Sequence, residues 1–244
     1  MQRNRANVLS IAGFDPCGGA GILADSKTFE QLKVYGMSVI TANTIQTEDH
    51  FTDIHWQEIE LVVSGIKALM GRYEINVVKI GIVRDFEYLK NIVNCVKSAN
   101  LKAFIIWDPV LKSSSGFQLC DQPTLESLPY LMECIDLITP NYEEYQLLKP
   151  VFDKANHRAL FLKGGHRQDQ IGTDVLMIDN SETVFLPSAN NLYQKHGSGC
   201  VLSSAIAAYL ASGKEIQEAC RLGKLYVEQF LKSNNTLLGY HHND

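Results

Sequence analysis

No Cys-x-x-Cys pair occurs in this 244-residue chain, and its six cysteines (Cys17, Cys95, Cys120, Cys134, Cys200 and Cys220) are too sparse for a disulfide framework. A small stapled secreted fold is therefore excluded, and the thiols read mostly as buried packing in a reducing compartment. Long apolar runs are also missing. None approaches the roughly 18 residues of a transmembrane helix, and the run at residues 103–107 is strand-sized. Residues 8–12, behind Arg3 and Arg5, are too short for a signal-peptide core and end in Gly-Phe-Asp-Pro, so the expected location is the cytoplasm. A basic surplus is absent: 22 Lys and Arg face 27 Asp and Glu, a net charge of −5 that excludes the broad footprint of a nucleic-acid binder. There is no low-complexity segment, linker or internal repeat, so residues 1–244 are expected to form one domain.

What is present alternates. Apolar or β-branched segments at 8–12, 37–45, 77–80, 103–107, 135–138 and 159–162 predict strands. Apolar residues at helical spacing predict helices over about 20–35, 56–70, 85–99 and 125–132, and another after Pro140. Such alternation gives βαβ units and a parallel sheet, and strands without polar alternation are covered on both faces. Segments 174–178 and 183–186 flank a turn at Asp179-Asn180 and predict an antiparallel hairpin; helices over 200–210 and 216–231 follow.

Open α/β sheets bind ligands beyond the carboxyl ends of their strands. The residues there are Gly13-Phe14-Asp15-Pro16, Gln46, Gly81-Ile82, Asp108-Pro109-Val110, Thr139-Pro140-Asn141 and Lys163-Gly164-Gly165-His166. Gly18-Gly19-Ala20-Gly21 fits a loose dinucleotide fingerprint or simply a tight turn, and the second strand ends at Gln46 rather than at an acidic residue. No phosphate-binding Walker loop occurs. The segment His196-Gly197-Ser198-Gly199-Cys200 is more informative, because it runs straight into a helix. Its glycines free consecutive N–H groups, and the first helical turn adds its own unpaired donors, an anion pocket suited to a transferring phosphoryl group. Cys200 at the positive end of that helix predicts a thiol pKa below about 8.5 and hence a proton acceptor; the bland reading is a small packed residue. Asp108, Asn141 and Glu144 are suited to Mg²⁺, directly or through water, although Asn141 and Glu144 equally make a helix capping box. Lys163 can bring an ammonium to a phosphate or stay solvated. No His pair has zinc spacing, so zinc is not expected.

In chain order these segments resemble the ribokinase-type kinases, and within them the hydroxymethylpyrimidine/phosphomethylpyrimidine kinases of thiamine biosynthesis. The resemblance rests on the stretches 10–28 and 35–42, on Val78-Lys79-Ile80-Gly81, Asp108-Pro109-Val110, Ile138-Thr139-Pro140-Asn141-x-x-Glu144 and Lys163-Gly164-Gly165-His166, and on His196 to Ala205. It implies a ribokinase-like three-layer α/β/α fold, mostly parallel, with the hairpin toward its C-terminal part. It also implies ATP and Mg²⁺, and phosphorylation of 4-amino-5-hydroxymethyl-2-methylpyrimidine and then of its monophosphate. By resemblance Gln46, Asp25, Gly13, Ile82 and Val110 form the substrate site. Asn141, Lys163 and Gly199 meet ATP phosphates, Asp108 and Glu144 the metal. Gly197, Ser198 and Gly199 form the anion hole, with Lys163 and Cys200 catalytic. A homodimer is implied, with no nucleic-acid or membrane partner.

Four departures from the family pattern stand out. Cys17 stands where Ser or Gly is more usual, and Ile82 where Met is common. Gln194-Lys195 replaces Asn-Thr, which bears on the nucleotide contacts, and Ser198 replaces Thr. The nearest rival activity is a pyridoxine/pyridoxal kinase of the same Cys-loop type, whose substrates also carry a hydroxymethyl group on a ring. The other rival is a non-catalytic pyrimidine-binding relative.

Overall fold

Strand β1 (Asn7–Phe14) turns Leu9 and Ile11 to one face and Val8 and Ser10 to the other, and each face meets its own layer of helices. The computed structural model describes residues 5–112, 119, 128–153, 158–165, 171–179, 181–188 and 192–241, and of 128–130 the backbone alone. Cys120, His166, Asn180 and the first three residues of the helix expected over 125–132 lie outside them.

Helix α1 (Gly21–Gln31) follows β1, then β2 (Tyr35–Gln46), β3 (Phe51–Trp56), α2 (Ile59–Arg72), β4 (Val77–Ile80), α3 (Phe86–Ala99) and β5 (Phe104–Trp107). The rest is α4 (Leu128–Cys134), β6 (Leu137–Ile138), α5 (Tyr142–Phe152), β7 (Ala159–Leu162), β8 (Asp174–Ile178), β9 (Ser181–Phe185), α6 (Ser198–Ala211) and α7 (Ile216–Lys232). The strands form one sheet in the order β3-β2-β1-β4-β5-β6-β7-β8-β9. It is parallel from β2 to β7 and antiparallel at β3, β8 and β9. Leu9, Ile11, Val78, Ile80, Ile105 and Trp107 pack against α2 to α5; Val8, Val77, Ile106, Leu137 and Phe161 pack against α1, α6 and α7. This is the expected three-layer α/β/α architecture with its hairpin at β8–β9.

Two of the boundaries that differ from expectation have a plain physical cause. Residues 51–56 form an antiparallel edge strand on β2, with Ala42 opposite Trp56, so the helix expected from 56 starts at Ile59. As an edge strand β3 is half solvated, and its polar residues hide its apolar period. Helix α1 stops at Gln31, not near 35, because Lys33 takes a left-handed turn (φ 60°) that feeds Val34 into β2. Among the described residues, no helix is long and apolar enough to cross a membrane.

Candidate active site

Strand alternation lines up the polar residues. Ser10 pairs with Lys79, and Lys79 with Ile106, in parallel register. Asp108 follows Ile106 by two residues and Lys163 follows Phe161 by two, so all four polar residues share the face covered by α1 and α6. Lys79, Asp108 and Lys163 lie at or near the carboxyl ends of their strands and line a cleft of about 650 Å³, with Ser10 in mid-strand. Gly13, Gln46, Ile82, Asp108, Val110, Asn141, Glu144 and Lys163 line it, as do Gly197 to Cys200.

Asp25 is the exception. It is fully buried beneath the floor, with Lys79 Nζ 2.8 Å from one carboxylate oxygen and 3.0 Å from the other. Ser10 Oγ donates to it at 2.5 Å and Ser204 Oγ at 2.6 Å. The substrate contact expected of Asp25 is corrected accordingly: its carboxylate is consumed in balancing a lysine that is itself fully buried, an arrangement a buried charge demands. The network ties α1, β1, β4 and α6 together under the cleft.

Gln46 Nε2 donates to Thr44 Oγ1 (2.9 Å), which in turn donates to the Phe14 carbonyl (2.9 Å). This fixes the amide and leaves its oxygen and second N–H for a ligand. Ile82 closes over Gly13 so tightly that a Cβ on Gly13 would lie 2.3 Å from Ile82 Cδ1.

The anion loop is built by two close approaches. Gly197 has φ +73°, and a Cβ there would lie 1.9 Å from the Gly19 carbonyl, so the two glycine loops touch backbone to backbone. It precedes α6 without any side-chain cap, which leaves the first N–H groups of the helix without intrahelical partners at the cleft wall. Lys163 Nζ would be 3.3 Å from a Cβ on Gly199 and is 2.7 Å from Asp108 Oδ1. Asp108 also accepts from Thr139 (3.2 Å) and Ser203 (3.1 Å). Burial works against its charge, but Lys163 and Lys79 outweigh it and hold the carboxyl below its ordinary range.

Cys200 departs from expectation. Desolvation at the cleft floor pushes its thiol up to about 11 against the opposing pull of Lys79, so it is a neutral thiol near pH 7. The helix N-terminus expected to depress it contributes about 1 kcal/mol, less than desolvation costs a thiolate.

Asn141 and Glu144 form a complete capping box: Asn141 Oδ1 accepts from the Glu144 N–H (2.9 Å), and Glu144 Oε2 from the Asn141 N–H (2.8 Å). Both still line the cleft. Burial raises the Glu144 carboxyl to about 7, with Lys163 opposing. The folded state thus holds a proton there that the unfolded chain releases near 4.5, and stability falls as pH rises from about 4.5 to 7. Glu144→Gln keeps an acceptor for Asn141 and removes that dependence. It is expected to gain on the order of 1–3 kcal/mol relative to the wild type between pH 5 and pH 8, read from urea midpoints. Parallel pH profiles for the two proteins would contradict it.

Three polar residues that line the cleft carry no role in the sequence reading. Lys79 is one, although a lysine inside an apolar strand signals a buried partner. Asp15 and His196 are the others. Asp15 Oδ1 accepts from Cys17 N (3.0 Å), and Oδ2 from Gly19 N (3.0 Å), Ala20 N (2.8 Å) and His196 Nε2 (3.0 Å). Burial pushes this carboxyl up, but the bonds from His196, Cys17 and Ala20 prevail and keep it ionised. Leu192, Val227, Leu231 and Leu237 give the cleft an apolar wall. Lys195 is buried nearby, donating to the Asn234 carbonyl at 2.6 Å, so its replacement of a smaller residue has become structural.

The profile of the phosphomethylpyrimidine kinase family matches residues 15–244. The chain is 32% identical over 244 residues to the hydroxymethylpyrimidine/phosphomethylpyrimidine kinase of Aquifex aeolicus, covering 94% of this chain and 95% of that protein. It is 34% identical over 249 residues to the protein of the same name in Rhizobium meliloti, covering 95% and 92%. Its structure is similar to the phosphomethylpyrimidine kinase of Clostridium difficile 630, with a TM-score of 0.76 and 32% identity over 92% of this chain and 99% of that one. It is also similar to the Staphylococcus aureus pyridoxal kinase in complex with AMP-PCP and pyridoxal, with a TM-score of 0.80 and 25% identity over 96% and 92%.

Proposed function

The chain belongs to the phosphomethylpyrimidine kinase family, and on that premise we propose that its cleft moves a phosphoryl group from ATP to 4-amino-5-hydroxymethyl-2-methylpyrimidine, and then to the monophosphate. The observation that carries this is one cleft holding both an oriented amide, Gln46, and an uncapped helix N-terminus beside Lys163. The amide suits an aminopyrimidine edge, which presents a donor and an acceptor. The N–H groups of 197–200 and the Lys163 ammonium meet the oxygens over which phosphoryl charge spreads, and Asn141 lies beside them. We assign the apolar wall at Leu192 and Val227 to the nucleotide base, an assignment that rests on its apolar lining.

Asp108 and Glu144 would hold Mg²⁺, whose contribution when bound is to neutralise phosphate charge. Among the described residues neither belongs to a cluster of three ligating groups, which suits an ion that keeps its waters and borrows phosphate oxygens. Glu144 near 7 and Asp108 below its ordinary range give that region at least one fixed negative charge at neutral pH.

Cys200 takes the substrate hydroxyl proton as its thiolate. With the thiol at about 11, about one molecule in ten thousand is ionised at pH 7, so kcat/KM is expected to climb across pH 7–10. A neutral resting thiol also spares the monophosphate the repulsion a carboxylate would impose in the same place. Cys200→Ala is expected to lower kcat roughly 100-fold or more with KM for ATP little changed. Near-wild-type turnover on both acceptors, or a flat pH profile, would remove the base role.

The deciding experiment is coupled ATP consumption with the hydroxymethylpyrimidine, its monophosphate and pyridoxal side by side. Turnover of the first two, with a lower kcat/KM for pyridoxal, is expected. No consumption with any of them would sink the kinase reading, and activity confined to pyridoxal would favour the second reading. That alternative draws on the likeness to the pyridoxal kinase fold. A non-catalytic relative is disfavoured because Lys163, Asp108, Glu144 and the 197–200 loop share one cleft. Exposed Ile40 and Ile45 on β2 support the homodimer the family resemblance implies, and we place the enzyme in the cytoplasm.

A further inference from the structure

Cys17, Asp15 and His196 are brought together from two loops 179 residues apart in sequence. Cys17 Sγ lies 3.2 Å, and His196 Nε2 3.0 Å, from the same oxygen, Asp15 Oδ2. The three ligand atoms all fall within 4.8 Å of one another, a group that local spacing of His and Cys does not reveal. Asp15 is buried, His196 is nine-tenths buried and Cys17 partly so. Phosphoryl transfer as described above uses none of the three.

We infer that Asp15, Cys17 and His196 form a binding site for a thiophilic divalent cation of the zinc class. Tetrahedral zinc with one sulfur, one nitrogen and one oxygen ligand has S···O and N···O edges of roughly 3.4–3.6 Å. The present separations are shorter by a few tenths of an ångström, so a small opening of the triangle admits the ion. The charges also match. A carboxylate and a thiolate neutralise a divalent cation, with the imidazole as a neutral third ligand.

The protons balance. The Cys17 thiol proton leaves to solvent. Asp15 is ionised and only accepts, so Nε2 is the protonated nitrogen in the free protein. On binding, that nitrogen gives its lone pair to the metal and the ring carries its proton on Nδ1, which is buried and has no partner among the described residues. Asp15 keeps its bond from Cys17 N on Oδ1, which holds the carboxylate in place, and Oδ2 gives up the bonds from Cys17 Sγ and His196 Nε2 as it takes the ion. Since His196 immediately precedes Gly197, the ion would join the loop after β1 to the loop that opens α6.

The test uses the full chain stripped with a chelator and titrated with Co²⁺. One equivalent is expected to produce a sulfur-to-cobalt charge-transfer band with intense tetrahedral visible bands, and Zn²⁺ is expected to erase both. Cys17→Ser should lose the charge-transfer band and bind Zn²⁺ at least about 10-fold more weakly, the lower limit for disturbing even an outer partner of a metal site. His196→Asn should weaken Zn²⁺ similarly, whereas Cys200→Ser should keep the band. Thermal unfolding in chelator establishes that each variant is folded. No charge-transfer band in the wild type, a band surviving Cys17→Ser, or equal Zn²⁺ affinity across the wild type and both site variants would overturn the assignment. These readouts do not involve phosphoryl transfer, so the assignment stands or falls separately from the kinase reading.

Discussion

Gly197→Ala is expected to lower kcat by roughly 100- to 1,000-fold while leaving the protein folded, the scale of losing one preorganised donor to transition-state charge. A left-handed backbone costs a non-glycine residue about 1–2 kcal/mol, which the fold can absorb. The larger difficulty is contact: the new Cβ would sit 1.9 Å from the Gly19 carbonyl. The two loops must separate, and the N–H groups of 198–200 move with Gly197. A displacement of about 1 Å at such donors costs about 100-fold by itself. The control is Ser198→Ala, which keeps every backbone donor and is expected to retain activity within a few-fold. Steady-state kinetics beside circular dichroism and a thermal melt decide it. A Gly197→Ala enzyme with wild-type kcat would mean that the loop contact is incidental and the anion is held elsewhere.

How legible these features are in the sequence depends on what each one's signal is made of. Strands β4 and β7 coincide with their apolar segments at 77–80 and 159–162, because strands buried on both faces have apolar residues at both ends. Strand β3 is obscured for the opposite reason: at the sheet edge, Thr52, Asp53 and His55 can face water. For the site, the rule that ligands gather at strand ends places Gln46, Ile82, Asp108, Asn141 and Lys163 in one cleft.

That rule says nothing of which face of α1 Asp25 takes. Helical spacing does: Ile22, Asp25 and Phe29 fall on one side, and all three are buried. Family resemblance alone pointed Asp25 at the substrate. A helix end alone predicts a depressed Cys200 thiol, whereas the desolvation that outweighs it depends on tertiary packing. The Asp15–His196 contact spans 181 residues and leaves no local trace.

Asp25→Ala is expected to destabilise the protein by about 3–5 kcal/mol, the usual loss when one partner of a buried ion pair is removed. Lys79 would remain fully buried with nothing to balance its ammonium, while Ser10 and Ser204 lose their acceptor. Asp25→Asn separates charge from hydrogen bonding, since its carbonyl still accepts from a serine while the compensating charge is gone. Burial lowers the Lys79 pKa and Asp25 is the largest influence raising it, so in Asp25→Asn the lysine sheds its proton more readily. Lys79 pulls the Cys200 thiol down and Asp25 pushes it up, so the weakened cation and the lost carboxylate oppose each other and the rise of kcat/KM should shift little in pH. Removing both charges in Asp25→Asn with Lys79→Met should recover part of the stability lost by Asp25→Asn alone, because no uncompensated charge is left buried. Urea denaturation of the three variants measures the coupling. If Asp25→Asn unfolds like the wild type and only KM for the pyrimidine rises, Asp25 faces the substrate after all and the buried pair is not what holds α1 to the sheet.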